Sequence, residues 1–170
     1  MQVNKIIATM PKKVQDVLQT TIISIGKNGA SQYDYINDIL YVAKGADENA
    51  VIHEIGNMVE NKLLDEQKVE TLKESFLQNV PFGNIKKDVY INADNEDVEV
   101  FLLLNTKFVS EYQGRLYVED WSEIYDANWN VRSEVLQEFV SEIFREYIQN
   151  PERLQQEFQE CYNLIEEGIK

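Results

Sequence analysis

The 170 residues, at 19.8 kDa, suit one domain with its own core, expected over 1–170, and 44% apolar with 27% charged residues is a globular and not a disordered composition. Thirty acidic against 16 basic residues give a formal charge of −14 and a pI near 4.4, the wrong sign for following phosphate backbones or anionic bilayers, so neither nucleic acid nor membrane is expected as a partner. Cys161 is the single cysteine, which excludes an internal disulfide and a zinc–thiolate site, and with no signal peptide or bilayer-spanning apolar run the chain is expected to be cytoplasmic.

The chain opens with a short helical stretch around 14–18, and the β-branched run 21–25, stopped by Gly26 and the Asn28-Gly29 turn signal, predicts a first strand. Residues 33–35 and 39–42 then read as the arms of a hairpin. Asp47 is placed to cap a helix over 48–64, with Glu48 at the positive end of its dipole. Ile52, Ile55, Val59 and Leu63 form the apolar stripe of that helix, Gly56 permits a close neighbour, and His53, Asn57, Glu60 and Leu64 share the adjacent face.

A second helix is expected over 66–77, broken by Pro81 and Gly83, followed by a hairpin with arms near 89–91 and 98–104 around Ala93 to Glu96, its latter arm buried on both faces. The segment 108–130 is aromatic-rich and irregular. Val135, Leu136, Phe139, Val140, Ile143, Phe144 and Tyr147 predict a helix over 132–149, ended or kinked at Asn150-Pro151, and Leu154, Phe158, Cys161, Tyr162 and Ile165 a last one. The expected class is therefore α+β, with a small sheet before the first long helix and a helical C-terminal half.

A zinc peptidase helix carries two imidazoles four residues apart, so that both reach one ion, with a glutamate beside the first to activate the bound water. Here His53 and Glu54 are present, but His53 is the only histidine and Asn57 stands where the second imidazole belongs. Far downstream, Glu138 and Glu142 lie one turn apart on the expected second amphipathic helix.

These features resemble the catalytic domain of anthrax lethal factor and the related zincin-like domains of phage and mobile-element proteins of Gram-positive bacteria. The resemblance spans most of the chain and rests on three blocks: Val51-Ile52-His53-Glu54-Ile55-Gly56-Asn57, Ser110-Glu111-Tyr112-Gln113-Gly114-Arg115, and Glu138-Phe139-Val140-Ser141-Glu142-Ile143-Phe144-Arg145. It implies a zincin-like fold with a small mixed sheet packed on the motif helix. It also implies metal ligands at His53, Asn57 and Glu138, Glu142 behind them, Glu54 as catalytic base, and Tyr112 as the phenol that stabilises the oxyanion, although the stretch between Tyr112 and Glu138 is much longer here.

Asparagine offers only a neutral amide oxygen, which suits calcium or magnesium better than zinc. Losing one imidazole costs about 2–4 kcal/mol, or about 30- to 1000-fold in affinity. The expected site is therefore degenerate, with zinc weak or absent. If metal binds, Glu54 takes a proton from the bound water and the strand 39–42, as a sheet edge, holds a peptide substrate. Two functions follow: a metallopeptidase-like domain of weak or no activity acting on a peptide or protein, or a non-catalytic structural or interaction module of a phage head-associated protein.

Overall fold

A computed structural model describes residues 3–78, 80, 84–92, 96–104 and 107–170. Two short helices, α1 (Val3–Thr9) and α2 (Lys12–Leu18), precede β1 (Ile22–Lys27), β2 (Gln32–Asp34) and β3 (Ile39–Ala43). These strands form a mixed sheet of order β1-β3-β2, with β1 parallel and β2 antiparallel to β3. Strand 39–42 is therefore central and not the edge expected of it; β2 is the edge that faces α3. Gly26, at φ +91°, lies within β1, not beyond it, and takes up the register shift between Ile25 and Lys27.

Helices α3 (Glu48–Leu63) and α4 (Glu66–Leu77) follow, each begun by an aspartate. The Asp47 carboxylate accepts from Ala50 N–H at 2.8 Å and that of Asp65 from Lys68 N–H at 3.0 Å, satisfying donors that a helix start leaves open. A second sheet of order β4-β5-β6 is built from β4 (Ile85–Ile91), β5 (Asp97–Leu103) and β6 (Arg115–Leu116). β5 is fully buried only at Val100, Leu102 and Leu103, so its two-sided burial holds at one end, while Val89 and Ile91 of β4 are exposed. Pro81, Gly83 and the turn residues 93–95 lie outside the described residues.

Helix α5 (Phe139–Gln149) begins seven residues later than the expected start at 132. Residues Ser133–Val135 make a 3-10 turn and Leu136, at ψ 68°, leaves the helical region, which still buries Val135 and Leu136. Alternating apolar pairs fit both conformations, so periodicity alone did not separate them. Glu138 accordingly sits at the N-cap of α5, not inside a helix. Pro151 opens α6 (Pro151–Glu157), and Phe158, whose ψ of 55° leaves the helical region, separates it from α7 (Gln159–Ile169).

The architecture is α+β, with seven helices and two small sheets among the described residues. Its core joins Leu40 and Val42 of β3, Val51, Ile52, Ile55, Met58 and Val59 of α3, and Phe139, Val140, Ile143 and Phe144 of α5. Each such side chain contributes about 1.5–3 kcal/mol on burial, so the α3–α5 pair is the main brace of the fold. Gly56 lets the two helices meet: a Cβ there would lie 2.9 Å from Ser141 Cα. No helix among the described residues is long and apolar enough to cross a membrane.

Candidate functional site: an imidazole between two carboxylates

His53 leaves the buried face of α3 and points across to the start of α5, where close packing at Gly56 brings the two helices into side-chain reach. Its Nε2 lies 2.5 Å from Glu138 Oε2 and its Nδ1 3.0 Å from Glu142 Oε1. Both ring nitrogens therefore face carboxylate oxygens. Burial opposes a charge on the ring, but its hydrogen bonds to the Glu138 and Glu142 carboxylates and the Glu138 charge outweigh it, and the imidazole pKa is raised to about 9. Glu138 is also buried, yet the His53 partner holds its carboxyl below the usual range, helped by the Tyr117 and Ser141 hydroxyls.

Glu142, 1% exposed, is saturated from three sides. Besides His53 it receives the Ser110 hydroxyl at 2.7 Å and the Arg145 guanidinium at 2.6 Å, as a buried carboxylate requires. The Tyr112 ring stands edge-on to the imidazole, with centroids 5.5 Å apart and planes at 89°. Its hydroxyl lies 3.4 Å from that of Tyr117. Arg115 covers the outer face of this pair, 4.1 Å from the Tyr112 ring and 4.7 Å from that of Tyr90, tying the second sheet to the site. Burial raises both phenols, with the Glu138 charge adding to it.

Glu54 and Asn57 point toward β2. Glu54 Oε2 accepts from the backbone N–H of Tyr33 and from Asn57 Nδ2, each at 3.0 Å. Burial raises the Glu54 carboxyl, with the Asn57 hydrogen bond working against it. Beside this pair a cavity of about 700 Å³ opens between β2, α3 and α4, lined by Tyr33, Tyr35, Asn57, Glu60, Lys73 and Glu138 among others.

The structure thus gathers His53, Glu138, Glu142 and Tyr112 in one cluster and sets Glu54 with Asn57 in an adjoining one. Tyr117 was not singled out from the sequence. The available signal was its i, i+2 relation to Arg115, which puts both on one face of an extended segment. Ser110 and Arg145 lay inside the motif blocks without a role, and both serve Glu142.

This donor set does not fit a tight zinc site. His53 is the only imidazole in the chain, and Asn57, where a second would stand, offers a neutral amide that it turns to Glu54. What the arrangement can do is hold a proton on the ring, at the place where the resemblance expects a cation. No family model, curated protein or solved structure matches the chain.

Proposed function

We propose that this chain is a zincin-type, metallopeptidase-like domain of the anthrax lethal factor catalytic-domain kind, with a degenerate metal site and weak or no peptidase activity. The observation that carries the reading is the 2.5 Å approach of His53 Nε2 to Glu138 Oε2, two residues far apart in the sequence that the resemblance names as co-ligands. The mixed sheet ahead of the motif helix and the tight crossing at Gly56 agree with it. In this reading the scaffold is kept and the ion is replaced by the protonated ring of His53. A peptide or protein is the proposed partner, in the bacterial cytoplasm, with phage or mobile-element origin following from the resemblance alone.

A second reading, a non-catalytic structural or interaction module of a phage head-associated protein, is favoured by the use of Glu54. A general base needs a carboxylate free to take a proton, whereas this one is engaged by a backbone amide and a side-chain amide. The two readings separate on zinc and peptide hydrolysis. Elemental analysis and zinc titration of the wild type are expected to give substoichiometric metal and affinity no better than micromolar, with Asn57→His tightening binding by about 30- to 1000-fold. If Asn57→His binds no more zinc than the wild type, the peptidase ancestry of the site is contradicted. A wild-type hydrolysis that Glu54→Gln abolishes would instead remove the second reading.

A further inference from the structure

Strand β2 ends the first sheet, so one side of its backbone has no strand neighbour among the described residues. In an antiparallel pair, successive residues alternate between facing the partner strand with both backbone groups and facing away from it. Tyr33 lies opposite Leu40, between the Gln32–Tyr41 and Asp34–Ile39 pairs, and its N–H goes to Glu54, away from β3. In a three-residue strand this makes Tyr33 the residue whose N–H faces the open edge. That donor is the one an extended chain would use to pair with β2, and open edges of this sort are commonly blocked in native proteins.

We infer that Glu54 is an edge-strand lock: its carboxylate, oriented by Asn57, occupies the outward N–H of Tyr33 and closes β2 to backbone pairing. Three features make the lock specific. Glu54 reaches the strand from the middle of α3, a rigid helix packed on α5. Asn57, one turn further on, donates to the same carboxylate oxygen, fixing the rotamer that faces β2. The Tyr33 side chain is anchored independently, buried and with its hydroxyl donating to Asp38 Oδ1 at 3.1 Å, so the strand cannot easily swing its N–H elsewhere. An entering peptide would have to take the Tyr33 N–H from a half-buried carboxylate and leave it with the Asn57 amide alone.

The amide of Asn57 thus supplies a donor that keeps Glu54 on the strand. The inference rests on these hydrogen bonds and stands even if the peptidase ancestry fails. Native-state amide hydrogen exchange by NMR on the full chain tests it. Tyr33 N–H is expected to exchange at least about tenfold more slowly than an open-edge amide. Glu54→Ala is expected to remove that protection at Tyr33 while the amides of Leu40 and Val42 in β3 keep theirs. Glu54→Gln, whose amide oxygen can still accept, is expected to retain most of it. A wild-type Tyr33 amide exchanging as fast as an open edge overturns the proposal without any variant, as does unchanged protection at Tyr33 in Glu54→Ala.

Discussion

At the level of single residues, His53 and its two carboxylates form a unit whose charge state sets its contribution to stability. Raising a buried imidazole from 6.5 to about 9 corresponds to stabilisation on the order of 3 kcal/mol, fully present below pH 6.5 and lost as pH rises through about 9. Glu138, lowered from 4.5, reports the same interaction from the acid side: its contribution is present above that value and fades as pH falls through the folded one. The cluster is therefore worth most between about pH 4.5 and 6.5, and its contribution fades toward about 9 on one side and toward the lowered Glu138 value on the other. Urea unfolding of the wild type and of His53→Gln is expected to show a stability gap that is wide near pH 6 and narrow near pH 10. A gap of constant size across that range would mean that the ring is neutral in the folded state.

At the level of elements, the site depends on how closely α3 and α5 approach. A Cβ on Gly56 would meet the Ser141 backbone at 2.9 Å and the Phe144 Cβ at 3.2 Å, and a helix backbone cannot give way as a flexible side chain would. Gly56→Val is expected to cost about 1–3 kcal/mol through overpacking, seen as a lower urea midpoint with an unchanged slope. A neutral effect would mean that the helices are not braced there. Elements with a clear local signal were legible in the sequence: α3, with Asp47 as cap and Gly56 as contact point, and the β2–β3 arms around their polar turn. The start of α5 was not, because 3-10 and α-helical turns both bury pairs such as Val135 and Leu136. The sheet order was also invisible. Strand β3 has the alternation of an edge or a centre alike, and only the long-range parallel pairing with β1 decides which it is.

Across the whole molecule, the candidate site is assembled from segments that local patterns cannot join. His53 and Glu142 are 89 residues apart, and their meeting was suggested by the resemblance of two motif blocks, not by periodicity. What those blocks could not convey is the direction in which each side chain is spent. Glu54 turns to a backbone N–H that has no signature in the sequence, and Tyr117 enters the site only because β6 pairs with β5. The excess of acidic residues reappears inside the fold: Glu138 and Glu142 face the two nitrogens of one histidine, with Glu54 in the adjoining cluster, and a proton on that ring offsets part of the buried negative charge.

Because His53 is the only histidine in the chain, its ring can be observed without ambiguity. A pH titration of the ¹⁵N-labelled imidazole by NMR is the most direct test of a protonated ring held between Glu138 and Glu142. Both nitrogens should be protonated at pH 7, with a midpoint near 9. A neutral ring at pH 7 with a midpoint near 6.5 would contradict it.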